Sequence, residues 1–277
     1  MDTVEWSIER IFRGGGREEL NDRVAVESPL EIVVNGVPLV ALMRLPGQDR
    51  ELAVGFCLTE KVISSVDDIR LLKHCGDDEG LSGPGPAAGG EAPEGAGSRV
   101  ELEVERPGDT GRFAATYLVR TGCGGADLGA LQQDVKGAVA SRQRFPLETL
   151  HGLGEKLARG QEVFRATGGT HGAAVFTAQG EEVAVREDVG RHNALDKAVG
   201  ACALRRIPLQ DKLLFISGRV SYEMALKAVR VGLPCLASLA APTDLGLRLA
   251  REAGLTVVGF ADGRRCNVYT HGWRLEG

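Results

Sequence analysis

Short apolar runs alternate with amphipathic stretches through the second half of the chain. The apolar runs predict strands at residues 173–178, 182–186, 213–217, 233–239 and 256–260, the first two forming a hairpin around Gln179-Gly180. The helical periodicity between them predicts helices at 191–204, 222–231 and 245–253. Strands that alternate with helices are typical of a largely parallel sheet covered on both faces. The pattern therefore predicts an α/β fold whose ligands bind beyond the carboxyl ends of the strands.

The first half of the chain is β-rich. Its strands are predicted at residues 24–34, 37–45, 99–105 and 112–119. Asn35-Gly36 separates the first two, and this dipeptide is typical of tight hairpin turns. Helices are predicted at 52–63 and at 147–159, the second ending at Gly160. We divide the chain into an N-terminal extension (1–22), a smaller β-rich part (23–145) and an α/β domain (146–277).

Residues 76–98 differ in composition from the rest of the chain, because Gly, Pro, Ala and Ser dominate them. Such a stretch buries too little apolar surface to offset the entropy of ordering it, so we expect a flexible insertion. Its five acidic and no basic residues account for the net charge of -5 and leave the remainder neutral. A neutral body lacks the basic face that nucleic acids require, so no nucleic acid partner is expected.

The sequence also predicts a cytoplasmic protein without a membrane partner. No apolar run approaches the roughly 18 residues of a membrane span, and the charged N-terminal stretch is unlike a secretory signal. The six cysteines, at positions 57, 75, 123, 202, 235 and 266, include no C-x-x-C pair. This spacing excludes a zinc ribbon and favours reduced thiols. Five of these cysteines are interpreted as small core residues, and Cys123 is the exception.

Cys123 lies between Gly122 and the pair Gly124-Gly125. Glycines on both sides free the backbone and remove the side chains that would shield the sulfur. The thiolate is the nucleophilic form of cysteine, and the nearby Arg120 would lower the thiol pKa. This local sequence is compatible with a reactive thiol and equally with a turn that happens to contain a cysteine.

Two polar segments precede the central strands of the predicted sheet. His171 follows a Gly-Gly pair, where it serves either a ligand or the local structure. Residues 186–197 are rich in charge at a strand-to-helix junction, with Asp188 as a candidate helix cap near amides suited to an anion. Capping and surface ion pairs explain the same segment without any ligand.

Two turns carry arginines at the predicted carboxyl edge of the sheet. Ser217-Gly218-Arg219 links a strand to a helix in the manner of a phosphate cradle, although it is not a Walker loop. Asp262-Gly263-Arg264-Arg265 precedes the last strand and is similarly rich in donors. A deaminase-type zinc site is incomplete, because His192 lacks the following H-x-E glutamate and Cys235 lacks a second cysteine. A G-x-S-x-G hydrolase elbow is also missing.

Together these segments resemble the formate dehydrogenase accessory sulfurtransferases of the FdhD/NarQ family. Shorter matching pieces surround Glu27-Ser28-Pro29-Leu30, Asn35-Gly36, the 53–60 segment and the Cys123 loop. The longer ones are TGGTHGAAVF from Thr167, REDVGRHNALDKAVG from Arg186, SGRVSYEMALKAVRVGLPCLASLAAPT from Ser217 and GFADGRRCNVYT from Gly259. They extend over most of the chain outside residues 1–22 and the insertion.

The resemblance implies a sulfurtransferase, an enzyme that accepts persulfide sulfur from a cysteine desulfurase on Cys123. It passes this sulfur to the bis-molybdopterin guanine dinucleotide cofactor, its substrate, before the cofactor enters formate dehydrogenase. The family also implies a homodimer and a three-layer C-terminal domain similar to the cytidine deaminase fold, with no structural metal. The residues expected to bind the cofactor are His171, Ser217, Gly218, Arg219, Phe260, Ala261, Asp262, Gly263, Arg264 and Arg265.

This sequence departs from the family pattern at one position of the cysteine loop. Many members carry a second cysteine in a C-x-x-C arrangement, and Ala126 stands at that place here. A disulfide within the loop is therefore impossible, and Cys123 is expected to be the sole persulfide carrier there. The competing function is a chaperone that holds the molybdenum cofactor without moving sulfur.

Overall fold

The computed structural model describes residues 2–75, 98–108 and 135–277. The Cys123 loop, the strand predicted at 112–119 and most of the predicted insertion lie outside these ranges. A β-hairpin comes first in the chain, formed by strands β1 (Thr3–Ile11) and β2 (Arg17–Ala25), and its side chains are mostly exposed. The division drawn at residue 22 falls inside β2, because the strand continues to Ala25.

A four-stranded sheet forms the smaller β-rich part. Its strands are β3 (Ser28–Val34), β4 (Val37–Arg44), β5 (Ile69–Cys75) and β6 (Ser98–Val104), in the order β4-β3-β6-β5. The predicted hairpin turn between β3 and β4 is confirmed. Asn35 and Gly36 both have positive φ, 51° and 77°, as a type I′ turn requires.

Helix α1 (Asp49–Thr59) packs on this sheet and completes its core. The helix predicted at 52–63 ends four residues early, because Lys61 adopts a left-handed φ of 57°. The chain then turns back, so that the Val62 and Ile63 amides both donate to the Cys57 carbonyl. Both side chains are buried, which explains their apolar character without a helix.

The predicted insertion ends before Ser98, which belongs to β6. The Ser98 hydroxyl donates to Asp49 Oδ2 at 2.8 Å, and Asp49 also accepts from Arg44 Nη2 at 2.8 Å. Burial alone would raise the pKa of Asp49, but the Arg44 hydrogen bond and charge lower it. Ser98 therefore belongs to a buried polar cluster and not to the insertion predicted at 76–98.

Residues 76–97 are expected to be replaceable by a short Gly/Ser turn. Cys75 and Arg99 are paired neighbours in the antiparallel β5–β6 ladder, so a hairpin loop of two to five residues can join them. Shortening the loop also costs no closure entropy. We expect the variant that retains Ser98 to stay soluble, with an unchanged melting temperature. Loss of soluble protein would show that this segment contributes to the core.

The segment after residue 144 differs from the single helix predicted at 147–159. Strand β7 (Phe145–Pro146) leads into α2 (Leu147–His151), α3 (Leu153–Gly160) and α4 (Glu162–Thr167). The break between the first two falls at Gly152. Gly160 is the last residue of α3 and does not cap it, because the cap position falls on Gln161. A Cβ on Gly160 would lie 2.4 Å from Val185 Cγ1, so this close packing requires a glycine there.

A six-stranded sheet forms the C-terminal domain, in the order β13-β12-β11-β10-β8-β9. Its strands are β8 (His171–Phe176), β9 (Glu182–Asp188), β10 (Leu213–Ile216), β11 (Cys235–Ser238), β12 (Thr256–Gly259) and β13 (Asn267–Thr270). Strands β9, β10, β11 and β12 point the same way, whereas β8 and β13 run in the opposite direction, so the sheet is mixed and the largely parallel sheet was a wrong prediction. Helices connect β9 to β10, β10 to β11 and β11 to β12. The predicted hairpin around Gln179-Gly180, between β8 and β9, is confirmed.

Helices cover both faces of this sheet and make three layers. Helices α5 (Arg191–Leu204), α6 (Tyr222–Arg230) and α7 (Asp244–Ala253) lie on one face, against alternate strand residues such as Val175, Leu214 and Val257. Leu150, Leu153 and other residues of α2 and α3 cover the opposite face. The final strand β14 (Leu275–Glu276) pairs with β7, so the division drawn at residue 145 falls inside a strand.

Buried charges join the two parts of the chain. Lys227 Nζ on α6 lies 2.8 Å from Asp196 Oδ2 on α5, and the Thr59 hydroxyl at the end of α1 donates to Asp196 Oδ1 at 2.7 Å. Burial alone would lower the pKa of Lys227, but the carboxylates of Asp196 and Glu60 outweigh it and raise the pKa. The ammonium therefore stays charged and bridges three helices.

Candidate functional site

The turns expected to bind the cofactor meet at one edge of the six-stranded sheet. Because β10, β11 and β12 are parallel, the turns after them all leave at the carboxyl edge. His171 begins β8, which is antiparallel to β10, and therefore lies at the same edge. Ser217 N donates to the Gly172 carbonyl (2.9 Å), and Gly172 N donates to Ser217 Oγ (3.0 Å). These bonds fix His171 beside the 217–219 turn.

Ser238, at the end of β11, ties the two arginine-bearing turns together. Its hydroxyl donates to the Gly218 carbonyl at 2.6 Å, and its own carbonyl accepts from Ala261 N at 3.0 Å. The side chain is fully buried. Sequence reasoning missed this residue, although a small polar residue closing an apolar strand is a usable signal.

The carboxylate of Asp262 stabilises the 260–265 turn through hydrogen bonds within the turn. Asp262 Oδ1 accepts from the amides of Arg264 (2.9 Å) and Arg265 (3.2 Å). These two backbone hydrogen bonds lower the pKa of Asp262. Phe260 and Gly263 both have positive φ, so the turn is sharp. Asp262 thus shapes the turn, while Ala261 is buried and offers only backbone groups to a ligand.

Three arginines remain free at this edge. Arg219, Arg264 and Arg265 are exposed, and none forms an ion pair with any other described residue. The Arg265 guanidinium lies 5.8 Å from the centre of the Phe260 ring, within cation–π range. Unpaired guanidinium groups are suited to bidentate contacts with phosphate oxygens.

Gly218 leaves space between two basic side chains. A Cβ there would lie 3.5 Å from Arg191 Cδ and 3.6 Å from His171 Nδ1. Burial, with a contribution from the Arg191 charge, lowers the pKa of His171. The imidazole is therefore mostly neutral at pH 7, and it can accept or donate a hydrogen bond there.

Most of the polar segment at 186–197 serves the fold through ion pairs, but the Lys197–Asp188 pair is buried and not at the surface as predicted. Lys197 Nζ lies 2.7 Å from Asp188 Oδ2, with both side chains fully buried, and Arg186 Nη2 donates to Glu51 Oε1 at 2.7 Å. Asp188 does not cap α5 itself. Its carboxylate accepts from the amide of Gly190, which occupies the cap position without any side-chain hydrogen bond.

His192, in the first turn of α5, is held neutral. Burial first, and then the charges of Lys227 and Arg191, lower its pKa to about 4. Its Nε2 lies 3.0 Å from Glu223 Oε2, yet this buried nitrogen forms no hydrogen bond with a described residue. A carboxylate contact that leaves the imidazole uncharged is not a salt bridge at neutral pH.

His192 should make folding pH-dependent. Between pH 6.5 and 4 the unfolded chain binds a proton at this residue and the folded protein does not, so stability falls as the pH falls. This contribution is complete above pH 6.5. Urea denaturation should show wild type losing roughly 2–3 kcal/mol more than His192→Gln between pH 6.5 and pH 4. Parallel losses in the two proteins would contradict a neutral His192.

The described cysteines fall into two groups. Cys57, Cys202 and Cys235 are buried as predicted, and burial raises the pKa of Cys202 to about 11 and that of Cys235 to about 12. Cys75 is exposed, so its core assignment was wrong, because its alternating position in β5 faces solvent. Cys266 is half-buried. Cys123 lies outside the described residues.

Metal ligands do not cluster in the part of the chain that the structure describes. Residues 2–75, 98–108 and 135–277 contain no group of three or more His, Cys, Asp or Glu side chains placed to hold a metal ion. Within the same ranges, no helix is long and apolar enough to cross a membrane.

Comparison with known protein families assigns the chain. The model of the FdhD/NarQ family matches residues 25–276. The chain belongs to this family. Since the match starts at the last residue of β2, nearly all of the β1–β2 hairpin precedes the family region.

Several family members are close relatives over nearly their whole length. A protein of Anaeromyxobacter sp. (strain K) named sulfur carrier protein FdhD is 40% identical, covering 96% of this chain and 92% of its own. One of the same name from Nocardia farcinica is 38% identical, covering 94% and 91%. The chain also superimposes on a crystal structure from Desulfotalea psychrophila, described as a formate dehydrogenase accessory protein, with a TM-score of 0.75 and 99% coverage of both chains. At 23% identity this likeness shows the fold alone.

Proposed function

We propose that this protein carries sulfur on Cys123 and delivers it to the bis-molybdopterin guanine dinucleotide cofactor, a delivery required for active formate dehydrogenase. The observation that carries the proposal is the convergence of His171 and three unpaired arginines at one sheet edge, in a chain whose relatives are named sulfur carriers. A carrier needs a thiol for the sulfur and a separate place for the acceptor. The carboxyl edge supplies the second.

Loading is a thiol exchange. The Cys123 thiolate attacks the terminal sulfur of a persulfide on a cysteine desulfurase, and a new S–S bond forms as the donor's S–S bond breaks. The donor cysteine leaves as a thiolate, so no net oxidant or reductant is needed. Burial raises the pKa of the Cys57, Cys202 and Cys235 thiols, which disfavours them as nucleophiles.

Delivery breaks the new bond. The terminal sulfur takes two electrons from the acceptor and becomes its sulfide ligand, and Cys123 is left as a thiolate. The acceptor is oxidised by those two electrons. This step requires the cofactor to be held in place, and its guanosine diphosphate ends provide phosphates for Arg219, Arg264 and Arg265.

Ser217, Gly218, Phe260 and Gly263 contribute differently from the arginines. Their positions shape the two turns. The backbone groups of Ser217, Gly218 and Gly263 can approach a ligand without a large intervening side chain, and the Phe260 ring lies against the Arg265 guanidinium. Neutral His171 adds a group that can donate or accept a hydrogen bond at the ligand. Asp262 acts through the turn that it holds and not through the ligand.

The wider setting of the proposal comes from the family. We assign the cysteine desulfurase as sulfur donor and formate dehydrogenase as client, and we expect a cytoplasmic homodimer. We also assign the three C-terminal layers to the cytidine deaminase-like fold. The reaction classifies the protein as a sulfurtransferase that takes its molybdenum cofactor as substrate.

Arg219→Ala separates acceptor binding from sulfur loading. Loss of a charged hydrogen-bond donor should weaken GDP binding by roughly 1.5–3 kcal/mol. That is about a ten- to hundredfold loss of affinity in calorimetry. Persulfide loading from a desulfurase and cysteine should be unchanged, since sulfur arrives before the cofactor is needed.

Arg70→Ala is the matched control, because Arg70 is an exposed arginine on the other sheet, paired with Glu105. It should bind GDP like the wild type. Equal GDP affinity in wild type and Arg219→Ala would remove the 217–219 turn from the proposed site.

A further inference from the structure

Glu223 is a carboxylate at the carboxyl edge that no described residue neutralises. It lies in the first turn of α6, four residues before Lys227, at a spacing that usually pairs an acid with a base. The Lys227 ammonium instead contacts Asp196 (2.8 Å) and Glu60 (3.0 Å) in the interior. The remaining neighbour is His192, which is uncharged at neutral pH.

The surroundings place this carboxylate beside the proposed nucleotide site. Glu223 Oε2 is 3.0 Å from His192 Nε2, and His192 follows Arg191, the residue that packs against Gly218. The Glu223 side chain is 40% exposed, so a ligand can reach it, while the His192 side chain is 21% exposed. The pair thus presents acceptor oxygens, with an unsatisfied imidazole nitrogen behind them.

The 217–219 turn directly precedes α6, and the 260–265 turn lies further along the same edge. Strands β10 and β12 are two positions apart in the sheet, which separates their ends by roughly 10 Å. A nucleoside diphosphate spans such a distance between its base and its terminal phosphate. A base beside α6 would therefore leave its phosphates near the 260–265 turn.

We infer that Glu223 recognises the guanine base of the bound nucleotide. Its two carboxylate oxygens accept hydrogen bonds from the N1–H and the exocyclic amine of guanine, which are adjacent donors. Adenine presents an unprotonated N1 at the same place, and a carboxylate repels it. This inference rests on the proposed function, which supplies the nucleotide.

A purely structural role for Glu223 makes a different prediction. Acidic residues in a first helical turn stabilise the helix dipole. If that were its only role, removing the charge would lower the melting temperature and affect all nucleotides equally. Selectivity between bases is the property that only a recognition role would change.

Calorimetry with GDP, IDP and ADP distinguishes the two roles in full-length protein. Wild type should bind GDP at least tenfold more tightly than ADP, with IDP, which lacks the exocyclic amine, between them. Glu223→Gln should lose about 10- to 100-fold in GDP affinity and keep its ADP affinity, because the lost contacts are charge-assisted hydrogen bonds. Arg219→Ala, as the comparison, should weaken all three nucleotides by a similar factor.

Each other outcome has a definite meaning. Equal affinity of wild type for GDP and ADP, with both weakened by Arg219→Ala, would overturn the role of Glu223 and leave the proposed nucleotide site standing. A Glu223→Gln variant that keeps the wild-type ratio of GDP to ADP affinity would likewise overturn that role alone. Failure of wild type to bind any of the three would overturn the inference together with the proposed nucleotide site.

Discussion

Replacing Cys123 with alanine is expected to abolish formate dehydrogenase activation while leaving the fold intact. The sulfur carrier needs a thiolate, and Ala126 leaves no second cysteine in the loop to take over. Formate dehydrogenase activity in a host that depends on this protein should fall to the level seen without it. GDP affinity should stay at the wild-type value, because the groups proposed to hold the nucleotide are His171, Arg219 and the 260–265 turn.

Cys75→Ala and Cys266→Ala are the matched controls, because these are the least buried of the described thiols. Both should retain wild-type activation. A cofactor chaperone that moves no sulfur would still activate formate dehydrogenase after Cys123→Ala. Full activity of that variant would therefore favour the chaperone and reject the carrier.

Gly200→Ala is expected to destabilise the whole protein by about 3 kcal/mol or more. Helices α1 and α5 cross with their backbones almost in contact. A Cβ on Gly200 would lie 1.9 Å from the Glu51 carbonyl oxygen, and one on Gly55 would lie 1.8 Å from the Asp196 carbonyl oxygen. Backbone cannot move aside as a flexible side chain can, so the helices must separate.

Separation of α1 from α5 would also disturb the buried contacts between them. The Thr59–Asp196 hydrogen bond joins α1 to α5, and the partly buried Arg186–Glu51 hydrogen bond joins α1 to the neighbouring β9. Urea denaturation of Gly200→Ala can be compared with Gly152→Ala, where a Cβ meets no atom within 4 Å. Equal midpoints for the two variants would contradict the close helix crossing.

Local signals predicted individual elements well. The helix at 191–204 has the predicted bounds, and the Asn35-Gly36 hairpin forms because both residues adopt positive φ. Strand direction was less predictable. The connection between two strands decides their relative direction. When a short turn joins two strands, the second runs antiparallel to the first, even if its apolar pattern suits a parallel sheet. The prediction of one continuous helix at 147–159 was wrong, because the helix is interrupted at Gly152 and hydrophobic periodicity alone does not reveal such a break.

The site was predictable in outline but not in its contacts. The rule that ligands bind beyond strand carboxyl ends located the arginine turns, and the structure places them at one edge. The rule could not reveal that the Asp262 carboxylate accepts hydrogen bonds from amides of its own turn. Nor could it reveal that Ser238 links the two turns. Glu223 is left without a basic partner because Lys227 pairs with Asp196 in the interior. That pairing depends on tertiary packing. Such contacts between distant residues leave no pattern in the local sequence.

Mass spectrometry of the protein after incubation with a cysteine desulfurase and cysteine tests the central claim most directly. A persulfide adds about 32 Da, and peptide mapping locates it. The sulfur carrier account predicts this adduct on the peptide that contains Cys123, and its removal by a thiol reductant. An adduct found instead on Cys57, Cys75 or Cys266, or no adduct at all, would contradict it.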